Sequence, residues 1–205
     1  QVVKGNDGLE TVLAQGINVE GTPCMLLMQM PLPRSLQAEG AEDSFIRTLS
    51  QMQDDLRRDY VTGAYNAGYL NEQYRPIAER AAMSGTPVGV VMVRVNEYWQ
   101  LREHESDSAA NCCLNMAAGI LQLAVGPDHD KAVLARLNDG FFAIVTIGTP
   151  AARMAQTVRE AMNDSRREFN ISLSRRGSFT VKIASAEWGE TASWDMTLSL
   201  AQQRL

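Results

Sequence analysis

The sequence predicts an α+β domain: a mixed sheet with helices packed on it, close to a ferredoxin-like plan, preceded by a β-hairpin and one helix. Three observations carry this reading. Pro87–Val95 is an apolar run with several β-branched residues, the pattern of a buried strand. Ala132–Leu137 and Phe141–Ile147 flank Asn138-Asp139-Gly140, a strong strand–turn–strand signal. Between and around them lie segments with apolar residues at helical spacing.

Along the chain, Gly16-Ile17-Asn18-Val19 and Cys24-Met25-Leu26-Leu27-Met28 flank Glu20-Gly21-Thr22-Pro23 and read as the hairpin. Pro31-Leu32-Pro33 ends it, and the polar stretch Gln37–Glu42 reads as a linker. From Asp43 to Tyr60 the pattern is helical, with Phe45, Leu49, Met52 and Leu56 forming an apolar stripe. That stripe fits either packing on its own domain or a parallel coiled coil with a second chain. A turn-rich segment, Asp59-Tyr60-Val61-Thr62-Gly63-Ala64-Tyr65-Asn66, leads into a helix ending near Ala82. After the first core strand a helix is expected over Asp107–Ala124. Thr149-Pro150 supplies a cap and a first-turn proline for a helix through Met162. Ile171 is expected in one further strand and Phe179–Ala184 in another, joined by Arg175-Arg176-Gly177, and Ser193 caps a final helix.

Composition narrows the function classes. Of 205 residues, 45% are hydrophobic and 21% charged, a globular balance that excludes wholesale disorder. The net charge of −5 and the lack of a basic run argue against a nucleic-acid partner. Uninterrupted apolar runs fall well short of the ~20 residues of a bilayer span, so no membrane contact is expected from this stretch. No signal-peptide pattern is visible. Cys24, Cys112 and Cys113 read as reduced thiols packed as small apolar groups. With only His104 and His129 as further soft ligands, no metal site and no cofactor are expected. A cytoplasmic location fits, for a parent protein that is itself free or membrane-attached. The start at Gln1 and the end inside a helical pattern suggest a piece of a longer protein.

At the Asp59–Asn66 segment the sequence begins to resemble the GGDEF (diguanylate cyclase) family. There a signalling helix runs into D-x-L-T-G-L-x-N-R, and this chain reads D-Y-V-T-G-A-Y-N, with Tyr69-Leu70 at the family's spacing. Val88–Val95 matches the family's first core strand. Arg136-Leu137-Asn138-Asp139-Gly140-Phe141-Phe142 aligns with the R-x-G-G-D-E-F hairpin. The resemblance covers residues 43–205 and implies a nucleotidyl-cyclase-like mixed sheet, without the last part of the family's C-terminal helix. It divides the chain into 1–36, the end of an upstream domain similar to the closing hairpins of PAS-type sensors; 37–58, linker and signalling helix; and 59–205, a degenerate GGDEF-like domain.

The same resemblance locates chemistry that this chain lacks. Diguanylate cyclases hold magnesium with hard carboxylate oxygens, from a D-x-D pair at the end of the first core strand and an acidic pair in the signature turn. Here those positions are Arg94, Asn96, Gly140 and Phe141. An arginine facing a divalent cation is repulsive: unit charges ~4 Å apart interact by roughly 4 kcal/mol at an effective dielectric of ~20. Asp139 is offset by one residue from the first acidic position. The guanine-reading Asn and Asp map onto Arg102 and Asn111, and Trp99 replaces a lysine. The R-x-x-D feedback motif maps onto His129-Asp130-Lys131-Ala132, without its Arg or Asp. Arg153 and Arg159 on the following helix read as ordinary surface residues.

These substitutions point to a pseudoenzyme: a non-catalytic signalling or scaffolding domain, dimeric through Asp43–Tyr60 and open to a protein partner. Two alternatives stay open. One is a nucleotide receptor for GTP or cyclic di-GMP through a remodelled cleft around Arg94, Arg102 and Asn111; the other is an active cyclase. Arg94, on a largely buried strand, is expected to pair with Asp139 or Glu97, because an unpaired buried charge is costly.

Overall fold

The computed structural model describes residues 2–5, 8–19, 22–31, 41–127, 131–172 and 179–205, with side chains placed for 47–48, 50–127, 131–165 and 179–205. It falls into two compact units, Gln1–Asp54 and Asp55–Leu205. The first holds a three-stranded antiparallel sheet of β1 (Val2–Gly5), β2 (Gly8–Val19) and β3 (Thr22–Pro31). β2 and β3 pair from Glu10↔Pro31 to Val19↔Thr22. The expected hairpin is therefore present, longer than its sequence signal and joined by a further strand. Helix α1 (Ala41–Leu56) starts inside the expected linker and stops four residues short of Tyr60. The side chains of Phe45 and Leu49 lie outside the described residues. Met52 is 56% exposed and Leu56 68% exposed.

The second unit is a five-stranded mixed sheet in the order β4-β6-β7-β5-β8. Its strands are β4 (Tyr65–Asn66), β5 (Val88–Val95), β6 (Ala132–Asn138), β7 (Phe141–Ile147) and β8 (Val181–Glu187). β5 lies between β7 and β8, antiparallel to both, and is buried along its length except at Arg94. Strand alternation sorts its side chains. Val91, Val93 and Val95 enter a cluster with Leu114, Leu121, Phe142 and Val158, beneath α5 (Asp107–Val125) and α6 (Ala151–Ser172). Val90 and Met92 enter the opposite cluster with Leu70, Tyr74 and Trp194. That face is covered by α2 (Ala67–Tyr69), α3 (Arg75–Met83) and α8 (Trp194–Gln203).

Local chemistry explains the boundaries. Between α2 and α3, Leu70–Tyr74 forms a π turn just before Pro76, whose missing N–H cannot continue the regular ladder. Ser106 caps α5 by accepting from the Ala109 N–H. Gly89 lets α6 approach the sheet, since a Cβ there would lie 2.5 Å from the Ala151 Cβ and 2.6 Å from a Glu187 carboxylate oxygen. α5 is long and apolar enough to cross a bilayer, although its uninterrupted apolar runs are short. Its Ala110, Leu114, Ala117, Ala118 and Leu121 instead face the sheet.

One expectation needs correction. Ile171 belongs to α6, which continues to Ser172, rather than to a strand; one β-branched residue costs a helix only a few tenths of a kcal/mol. Arg175-Arg176-Gly177 lies outside the described residues. Two short helices were not foreseen, α4 (Tyr98–His104) and α7 (Trp188–Thr191). Both are about one or two turns long, too short to show a periodic stripe.

Asp59 ties the segment that leads into β4 to the sheet. Its carboxylate accepts from the Thr62 N–H (2.9 Å), the Thr62 hydroxyl (2.7 Å) and the Arg136 guanidinium (3.0 Å to each oxygen). Burial opposes the charge, but the Thr62 and Arg136 contacts outweigh it and hold the carboxyl below its ordinary value. A depressed folded-state value gives stability that is present above the unfolded value and lost as pH falls through the folded one. Asp59→Asn is expected to lower unfolding free energy by about 1–3 kcal/mol at neutral pH. In urea melts below about pH 4 its gap to wild type should narrow; a gap that stays constant to pH 2 would show that the charge is not the source.

Candidate functional site

The site expected from sequence forms where β5 ends beside the β6–β7 turn. Arg94 pairs in register with Phe141 on β7, and the Val95 N–H donates to the Gly140 carbonyl at 2.8 Å. Arg94, Asn96, Gly140 and Phe141 are therefore brought together. The turn is tight: Asp139 takes φ 21°, a value that L-residues rarely adopt. Gly140 is enclosed, because a Cβ there would lie 3.0 Å from the Val95 carbonyl oxygen and 3.0 Å from the Tyr98 Cβ. No side chain fits at 140 without displacement of backbone or of the buried Tyr98.

Arg102, on α4, binds acids of its own chain. Its Nε donates to Asp107 at 3.0 Å, its Nη1 lies 3.6 Å from Asp139, and its guanidinium sits 5.4 Å from the Trp99 ring centre. Its surroundings raise its pKa further, Tyr98 most and then Asp107, with a smaller contribution from Asp139. All three side chains are exposed, so these pairs orient groups more than they stabilise the fold. Trp99 is half-exposed against Arg102. Asn111 is half-buried one turn along α5 from Asp107, and no hydrogen bond joins it to Arg102.

Arg94 departs from expectation. Among the described residues no carboxylate lies within ion-pair distance of it. Glu97 is engaged elsewhere, accepting from the Thr180 N–H at 2.7 Å and the Thr180 hydroxyl at 2.6 Å. Asp139 faces Arg102. The reason is exposure: Arg94 sits at the strand end, where the guanidinium reaches water and needs no counter-ion. Its one hydrogen bond among the described residues runs from Nε to the Asn96 Oδ1 at 3.3 Å. Alternation on β5 sets Arg94 with Val90 and Met92, whereas Tyr98 and Leu101 anchor α4 in the cluster on the other face. Arg94 and Arg102 therefore do not converge on one cleft.

A separate cleft of about 760 Å³ opens between α4 and α5, walled by Leu101, His104, Cys112, Cys113 and Met116 and by Phe179. Burial pushes the Cys113 thiol up to about 12, so it is an inert protonated group. No cluster of metal-ligating side chains occurs among the described residues. Arg159 donates to the Ile183 carbonyl (3.3 Å) and Arg204 to the Ser185 carbonyl (2.8 Å), which protects the β8 edge. His129 and Asp130 lie outside the described residues. Sequence reasoning missed Thr180 and Lys182; as the polar positions alternating with Phe179, Val181 and Ile183, they carried the available signal.

Comparison with known proteins places this geometry. Residues 56–205 match the family model for the diguanylate cyclase GGDEF domain, and the chain belongs to the GGDEF family. The fold matches the coiled coil and GGDEF domain of DgcB from Caulobacter crescentus, solved with c-di-GMP: TM-score 0.66, 16% identity, covering 83% of this chain and 89% of that one. It also matches the FimX GGDEF domain from Pseudomonas aeruginosa, with TM-score 0.59, 19% identity and 72% and 90% coverage. The S helix-GGDEF-EAL structure of LapD from Vibrio cholerae, bound to c-di-GMP, gives TM-score 0.61 and 16% identity, covering 78% of this chain and 36% of that one.

The enclosure of Gly140 generates a direct test. Gly140→Asp, which returns an acid to the signature turn, is expected to cost about 1–3 kcal/mol by overpacking. Gly140→Ala should cost a similar amount, since the Cβ itself is what collides. Urea denaturation of both variants decides this; an aspartate variant as stable as wild type would mean that the turn holds a side chain freely.

Proposed function

We propose that this chain is a non-catalytic GGDEF signalling domain of a cyclic di-GMP-type sensory protein, acting in the cytoplasm as a homodimer through α1. The observation that carries the reading is the chemistry at the end of β5. The four positions where the family places carboxylates hold a cation, an amide, an enclosed glycine and a phenylalanine, Arg94, Asn96, Gly140 and Phe141, and they lie together. A divalent ion there meets positive charge and no anionic oxygen. Asp139, the one nearby acid in the turn, is directed to Arg102.

The receptor alternative loses its main support because Arg94 and Arg102 face different clusters and Arg102 is bound to Asp107 and Asp139. In this reading residues 1–36 close an upstream PAS-like domain, 37–58 form linker and signalling helix, and 59–205 form the output domain. Exposure of Met52 and Leu56 supports an outward stripe available to a second chain. DgcB was solved with its coiled coil, and SiaD from Pseudomonas aeruginosa in complex with its activator SiaC, which is consistent with helix-mediated assembly or a protein partner here.

Incubation with GTP and magnesium or manganese, followed by chromatography, is expected to yield no cyclic di-GMP. Turnover that disappears in an Asn96→Ala variant would overturn the non-catalytic reading. Light scattering tests the assembly independently: the wild type should be dimeric at high micromolar concentration and Met52→Glu/Leu56→Glu monomeric and folded. A monomeric wild type would rule out the α1 dimer.

A further inference from the structure

Across the open end of the sheet, Phe141, Arg94 and Lys182 stand in one row on β7, β5 and β8, paired in register as Phe141↔Arg94 and Arg94↔Lys182. Directly opposed residues of antiparallel strands carry their side chains on the same face, ~5 Å apart at Cβ. Two like charges in that arrangement repel. Among the described residues neither cation has a carboxylate partner.

The arginine is also held in place. Its Nε donates to the Asn96 Oδ1 at 3.3 Å, and the Asn96 amide donates to the Thr180 hydroxyl at 2.9 Å. That hydroxyl donates to Glu97 at 2.6 Å, and the Thr180 N–H donates to the other Glu97 oxygen at 2.7 Å. The Asn96 N–H in turn donates to the Thr180 carbonyl at 3.0 Å. This relay fixes one edge of the guanidinium. The two terminal amino groups are left without a hydrogen-bond partner among the described residues. Glu97 anchors the relay but binds threonine, so it does not neutralise the arginine.

A pre-oriented guanidinium with free terminal N–H groups, beside an ammonium, has the donor geometry for a tetrahedral oxyanion. We propose that Arg94 and Lys182 form a metal-independent binding site for a phosphoryl group of a soluble phosphate-bearing molecule, with Asn96 and Thr180 as positioning residues. The site takes an anion directly where a metal-dependent cyclase would need a cation between protein and phosphate. Arg94 is half-exposed and Lys182 exposed, so the ligand enters from solvent without a conformational change. The overall charge of −5 disfavours an anionic bilayer as the source of the phosphate.

The test is a titration of sodium tripolyphosphate into the full chain in EDTA, followed by ³¹P NMR and by calorimetry. Saturable binding is expected without metal, weakened about tenfold or more by Arg94→Gln and by Lys182→Gln. It should weaken further on raising salt from about 10 to about 300 mM. Asn96→Ala, which frees the guanidinium, should weaken it by about threefold. Arg153→Gln, an exposed cation on α6, should leave it unchanged. Both glutamine variants alter exposed or half-exposed side chains, and matching urea melts will confirm that they fold. No saturable binding, binding that needs magnesium, or binding indifferent to both glutamine variants would each overturn the site. Sedimentation with phosphatidylglycerol vesicles should leave the protein in solution; pelleting that Lys182→Gln abolishes would overturn the soluble-ligand assignment. Cyclic di-GMP synthesis would contradict the proposed function and leave the titration result standing, so the two can fail separately.

Discussion

One guanidinium ties the Asp59–Asn66 segment to the hairpin of β6 and β7. Arg136 reaches from β6 to both oxygens of Asp59 and, through Nε, to the Asp139 carbonyl at 3.3 Å. Its side chain is 13% exposed and that of Asp59 16%, so the pair is shielded from solvent while Thr62 satisfies the remaining acceptor capacity. Loss of either partner strands a charge, which costs far more than the net value of an exposed pair. The dependent geometry is extensive. The chain turns back through Gly63, the Asn66 N–H and side chain reach the Arg57 and Leu56 carbonyls, and β4 lies parallel to β6 at Tyr65↔Ala135 and Asn66↔Arg136. Tyr65 and Tyr69 stack at 4.0 Å, with Arg58 over the Tyr65 ring.

Beside that frame, the end of β5 places two cations in register, Arg94 and, on β8, Lys182. Where a metal-dependent site places acids to hold cations, this chain places Arg94 with Lys182 beside it, and the nearby acids serve other partners: Glu97 holds Thr180 and Asp139 faces Arg102. Framework and chemistry are separable because they rest on different residues. Asp59, Thr62 and Arg136 tie the hairpin to the preceding segment through groups outside positions 140 and 141.

Much of this was legible in the sequence. The hairpin around Asn138-Asp139-Gly140 and the strand Val88–Val95 stood out because turn chemistry and β-branched runs are local signals. The juxtaposition of Arg94, Asn96, Gly140 and Phe141 followed from the family resemblance. What escaped were features set by tertiary contact. α4 is too short for periodicity, and α6 runs on through Ile171 to Ser172, since one β-branched residue costs a helix little. The expected Arg94 ion pair failed on burial: Arg94 is the one half-buried residue of β5, with Val95 beyond it buried again, and sequence does not reveal such a local exposure. The cross-strand partner Lys182 depends on register between strands far apart in sequence, which only the sheet defines.

The proposed function has the end of β5 hold no metal ion. Amide NMR spectra recorded while manganese is titrated into the isotope-labelled chain test it most directly, because a bound paramagnetic ion broadens nearby signals. No selective broadening of Val95, Asn96, Gly140 or Phe141 is expected. Selective loss of those signals at stoichiometric manganese would contradict it.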